Sequence, residues 1–77
     1  MNTHDFIILL AAYRRQMETL TNSGRLRRRR AAYRGAVRAG LVLGAIEADE
    51  AAALYEAGER VFRARWAEIA PPPRQPA

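Results

Sequence analysis

The chain has 77 residues, no cysteine, 49% hydrophobic and 27% charged residues, and a formal net charge of +5. That length bounds it to one domain and leaves little room for a layered enzyme fold. The hydrophobic share is too high for a chain disordered throughout. The absence of cysteine excludes a disulfide framework and a thiolate metal site, and it points to a reducing, cytoplasmic setting. All 13 basic residues are arginine, whose planar fork suits phosphate and carboxylate better than a lysine ammonium does.

The first expected element is a helix over 3–21. Asn2 or Thr3 can accept the orphan N–H groups of its first turn, and Asp5 suits its positive end. Phe6, Leu10, Tyr13, Met17 and Leu20 recur at helical spacing and form its inner face. Ile7 and Ile8 fall off that face and are candidate protein-interface residues. The apolar block Phe6–Ala12 is roughly a third of the ~20 residues a membrane span needs. No membrane partner is expected. Asn22-Ser23-Gly24 reads as a stop in which Asn or Gly takes a left-handed C-cap.

A second helix is expected over 25–43, with Leu26, Tyr33, Val37 and Leu41 as its apolar stripe. Gly44 is its expected terminator, with Gly40 as the alternative. Val42 and Leu43 fall off the stripe, and with Ile7 and Ile8 they suggest burial against a partner, a homodimer among the options. A third helix is expected over 48–69. Ile46 acts as a hydrophobic staple before it, and Glu50 reaches back to the cap at Glu47. Ala51, Leu54, Gly58, Val61, Phe62 and Ile69 face inward, with Tyr55 and Trp66 at the edge. Glu56 with Arg60, and Glu59 with Arg63, are spaced as i,i+4 ion pairs. The proline-rich stretch 71–77 cannot be helical and is expected to be a disordered tail. The fold class is therefore all-α, a small three-helix bundle built from a helical hairpin plus a third helix.

Charge is segregated along the chain. From Arg14 to Arg38 there are nine arginines against Glu18 alone, a net of +8. From Ala39 to Ala70 there are three arginines against six acids, a net of −3. Arg25, Arg27, Arg28, Arg29, Arg30, Arg34 and Arg38 lie on the second helix with no acid among them. With Leu26, Tyr33 and Val37 inward, helical phase puts Arg27, Arg34 and Arg38 on the opposite face with Arg28 beside them. Arg29 and Arg30 flank the stripe. Such a run is the footprint of a polyanion binder. With Tyr33 in the core, no aromatic stacking platform is expected. The competing structural reading is that these arginines meet acids of the third helix.

A helix-turn-helix motif is suggested by Ala36, Gly40 and Ile46, taken as small residue, turn glycine and buried branched residue. It then fails, because Glu47, Asp49 and Glu50 would open the helix that must approach phosphates. His4 is the only histidine, and no second His or Cys exists to complete a metal site. No nucleophile with a paired base and no glycine-rich phosphate loop is present. Neither a catalytic activity, a cofactor nor a small-molecule substrate is expected. Arg65 falls inside the third helix's apolar stripe beside Trp66. A charge there must pair, with Glu68 the nearest acid, or anchor a protein interface. The leading expectation is a non-catalytic module that contacts nucleic acid, DNA or RNA, through its second helix. The alternative is a small inhibitor or adaptor of the phage or mobile-element type, docking on an acidic protein surface or a nucleoprotein complex.

Overall fold

A computed structural model describes residues 2–70. It contains three α-helices, α1 (Thr3–Thr19), α2 (Ser23–Val42) and α3 (Ala48–Ile69), and no strand among the described residues. Each helix packs on both others, α2 with α3 most extensively. The expected disordered tail, 71–77, lies outside the described residues.

α1 starts where Asn2 Oδ1 accepts the Asp5 N–H at 2.8 Å. It ends at Thr19, two residues short of expectation, because Leu20 turns extended (φ −69°, ψ 137°). The expected left-handed stop at Asn22-Ser23-Gly24 is not found. Asn22 has φ −101°, and its Oδ1 accepts the Arg25 N–H at 2.9 Å. Asparagine serves either end of a helix. Here the unsatisfied N–H groups of the following helix claim it, so α2 begins at Ser23, two residues early. The carbonyl left over at the end of α1 is satisfied from elsewhere: Arg65 Nε of α3 donates to Leu20 O at 2.7 Å.

α2 ends in a Schellman motif. Ala45 N–H donates to Gly40 O at 2.8 Å and Gly44 N–H to Leu41 O at 3.2 Å. Gly44 takes φ +76°, a conformation that side chains with a Cβ resist. Thr3 Oγ1 donates to Ala45 O at 2.6 Å and ties the start of α1 to this turn. α3 opens on Glu47, whose N–H donates to Glu50 Oε1 at 3.0 Å. Ile46 and Ala51, on either side of that cap, are both buried.

The core comprises Phe6, Leu10 and Met17 of α1, Leu26, Tyr33 and Val37 of α2, Ile46 of the turn, and Ala51 and Leu54 of α3. Tyr13, Leu20, Val61, Phe62, Trp66 and Ile69 pack against it, partly buried. Leu41, expected to face inward, is exposed, and Gly40 is buried in its place. The reason is steric. The Phe6 ring lies where a Cβ at Gly40 would be, so the closest approach of α1 and α2 falls one residue before Leu41. Gly40 is thus a helical packing residue and not the turn glycine of a helix-turn-helix.

Gly35 is different. Nothing lies within 4 Å of a Cβ placed there, so the fold makes no use of its missing side chain. Gly35→Ala is expected to stabilise the protein by about 0.5–1 kcal/mol. That is a rise of about 2–8 °C in the thermal midpoint of a domain this small, readable by circular dichroism.

Candidate nucleic-acid interface

Helical phase spreads the seven arginines of α2 over three directions. Arg27, Arg30 and Arg34 follow one another at i, i+3 and i+7, along the ridge beside α3. Their guanidinium carbons lie 4.9 Å from the Trp66 ring centroid, 4.6 Å from that of Phe62 and 5.1 Å from that of Tyr55. Phe62 and Trp66 themselves stack, with centroids 5.5 Å apart. Arg29 leans the other way, 5.7 Å from the Tyr13 ring of α1. Arg25, Arg28 and Arg38 are exposed.

Arg27 and Arg34 therefore do not line the face opposite the core, as expected from phase alone. Long arginine stems cover neighbouring apolar surface while the head reaches water, and the aromatic faces of α3 attract the cation further. Tyr55, Phe62 and Trp66 lie beneath these arginines as a partly buried aromatic strip packed against the core. Its signal was readable as a ridge: Tyr55, Phe62 and Trp66 recur at helical spacing, and in an antiparallel pair they run alongside Arg34, Arg30 and Arg27.

Carboxylates of α3 reach only two of the seven. Arg30 makes a two-pronged pair with Glu59, Nε to Oε1 at 2.6 Å and Nη2 to Oε2 at 3.0 Å. Arg34 Nη1 adds a longer contact to the same Oε1 at 3.4 Å. The expected Glu59–Arg63 pair is not formed. Glu59 turns to α2 instead, because two guanidiniums at a half-buried seam outweigh one exposed i,i+4 partner worth about 0.2–0.5 kcal/mol. Hydrogen bonds from Arg30 hold the Glu59 carboxyl below the usual carboxylate range, partial burial opposes this, and the charges of Arg30, Arg34 and Arg63 add to the lowering. The same hydrogen bonding raises the Arg30 guanidinium. Glu56 and Arg60 do pair, at 3.6 Å. Among the described residues no carboxylate forms an ion pair with Arg25, Arg27, Arg28, Arg29 or Arg38.

Arg65 resolves inside the chain. Besides its bond to Leu20 O, its Nη1 meets Glu68 Oε2 at 2.7 Å. Trp66 is partly buried, occupied by Phe62 on one side and approached by Arg27. Both side chains make contacts within the bundle. Ile7 and Ile8 are exposed as expected, together with Leu9. Val42 and Leu43 are more exposed still, at 76% and 82%. Leu9 and Leu43 share a groove with Phe6 and Gly40 at the end of the bundle where Thr3 meets Ala45. Arg14, which sequence reasoning did not single out, donates Nη1 to Tyr33 Oη at 2.9 Å, and the Tyr33 hydroxyl donates to Leu54 O.

Comparison with known protein families, curated proteins and solved structures finds no match. Glu47, Asp49 and Glu50 cluster at the start of α3, but two of these carboxylates accept backbone N–H groups there, Glu50 from Glu47 and Asp49 from Glu50, and the cluster reads as a helix cap. His4 is exposed. No described helix is long and apolar enough to cross a membrane.

Proposed function

We propose that this chain is a non-catalytic binding module that holds nucleic acid, DNA or RNA, through the arginines of α2. The observation that carries the proposal is the imbalance on that helix. Five of its seven arginines have no carboxylate partner among the described residues, while the acids of α3 cap its first turn, pair with Arg60 and Arg65 of α3 itself, or, in Glu59, clamp Arg30 and Arg34. Phosphates are the ligand class that such a surface recognises without reading sequence. Exposed small residues, Ala31, Ala32, Gly35 and Ala39, lie between the arginines along α2 and let a phosphate backbone come close.

Binding of this kind is salt-sensitive, with a logarithmic slope of about −0.9 per phosphate neutralised. Engagement of about four phosphates therefore lowers affinity by about two decades between about 50 and 200 mM salt. Fluorescence anisotropy with random duplex DNA and with a bulged RNA hairpin measures this. Arg28→Glu together with Arg38→Glu is expected to weaken binding about tenfold at low salt, with the thermal midpoint little changed. Absence of binding at low salt, or indifference to the double variant, rules the proposal out.

A second reading, an inhibitor or adaptor that docks on another protein, is favoured by the exposed Leu9, Val42 and Leu43. The same variants separate the two readings. A protein partner held at the apolar end stays bound after Arg28→Glu and Arg38→Glu and is released by Leu43→Asp.

A further inference from the structure

Leu20, Arg25, Arg28, Arg29 and Ala32 line a groove of about 490 Å³ between the end of α1 and the first three turns of α2. Arg25, Arg28 and Arg29 stand at i, i+3 and i+4, so all three side chains share one helical face. Ala32, at i+7, keeps the floor of the groove low. Like charges at this spacing repel by a few tenths of a kcal/mol per pair. No carboxylate among the described residues relieves that repulsion by pairing with any of the three. The first turn of α2 carries no acid either, so the positive end of the helix adds a field of the same sign.

Arg29 is also positioned. Its guanidinium carbon lies 5.7 Å from the Tyr13 ring centroid, which restrains the stem while the N–H edge stays available for an acceptor. Three guanidinium heads around one groove, one of them preorganised, match a group with several charged oxygens in tetrahedral array.

We infer that this groove is a phosphate site, in which Arg25, Arg28 and Arg29 converge on one phosphate group. Its source is a backbone phosphate of bound nucleic acid, and in that respect the inference rests on the function proposed above. The site fixes where the strand crosses α2, while Arg27 and Arg38 supply weaker contacts along the helix.

The test uses sodium pyrophosphate as the probe, titrated into the full chain at constant ionic strength and followed by nitrogen-15 NMR. Saturable shifts are expected at the backbone amides of 20–32 and at the Nε groups of Arg25, Arg28 and Arg29. Arg25→Gln with Arg28→Gln abolishes them at unchanged thermal midpoint, and Arg60→Gln with Arg63→Gln leaves them intact. Shifts that never saturate, that spread evenly over all arginines, or that survive the first double variant overturn the site. In parallel, Arg25→Gln with Arg28→Gln is expected to lower affinity for duplex DNA about tenfold and to reduce the salt slope by about two. Saturable pyrophosphate binding without DNA or RNA binding at low salt keeps the phosphate site and removes nucleic acid as its source. Nucleic-acid binding with an inert groove removes the site and leaves the broader reading standing.

Discussion

Gly58→Ala is expected to destabilise the protein by about 1–3 kcal/mol, even though alanine is the better helix former by about 1 kcal/mol. The added Cβ would overlap the Tyr33 ring. That ring cannot step aside freely. Tyr33 is 1% exposed, its hydroxyl donates to Leu54 O, and Arg14 donates to the same oxygen. Moving the ring breaks both contacts next to a backbone carbonyl four residues before Gly58. Overpacking alone costs about 1–3 kcal/mol, and a lost buried hydrogen bond adds about 1 kcal/mol. Together these outweigh the propensity gain. For a chain whose total stability is on the order of 4–12 kcal/mol, the loss is a sizeable fraction and lowers the thermal midpoint by about 4–24 °C. Urea denaturation of Gly58→Ala and Gly35→Ala side by side isolates the cause, since both make the same chemical change inside a helix. Opposite signs are expected. Equal stabilisation of both would mean that Tyr33 does not pack on Gly58.

The contrast between those two glycines marks what pattern can and cannot reveal. Period alone identifies the inner residues Phe6, Leu10, Met17, Leu26, Tyr33, Val37 and Leu54, because burial of a helix face repeats every three to four residues. The chemistry of Gly44 likewise marks the end of α2, since few other residues accept its φ of +76°. Period cannot say that Gly40 is buried and Leu41 exposed, because that depends on where the Phe6 ring of another helix lands. Nor can it decide whether Asn22 stops one helix or starts the next, as its side chain suits both tasks. On the interface side, the run of arginines was legible as a charge block, but its division was not. The antiparallel register of α2 and α3 decides that Arg30 and Arg34 meet Glu59 while Arg25 and Arg28 meet no acid. Register is a tertiary fact, and the i,i+4 rule that suggested Glu59–Arg63 describes a single helix.

Glu59→Gln is the second large effect, and its two readouts are expected to move in opposite directions. The substitution removes the acceptor of two charge-assisted bonds from Arg30 and the ion contact from Arg34. Such bonds contribute about 1–3 kcal/mol. Discounted for the exposure of Arg30, 38% at the side chain, a loss of about 1–2 kcal/mol at neutral pH is expected. Glu59 is also the one acid that neutralises arginines of α2 among the described residues. Without its charge, Arg30 and Arg34 join the positive surface, so affinity for duplex DNA should rise about threefold to tenfold at low salt, with a salt slope steeper by about one. A merely damaged fold would lower affinity together with stability, and that outcome would refute the clamp. The pH dependence gives an independent check. The folded Glu59 carboxyl titrates below the unfolded value of about 4.3. Its contribution is therefore complete above that value and fades as pH falls through the folded one. The rise at Arg30 lies at the alkaline extreme and adds no slope in this range. Urea melts of wild type and Glu59→Gln should accordingly differ at pH 7 and converge as pH drops below about 4. A gap that stays constant into acid would show that the side chain acts by packing and not by charge. Convergence, with the affinity gain present only where Glu59 is ionised in the wild type, would tie both effects to the same carboxylate.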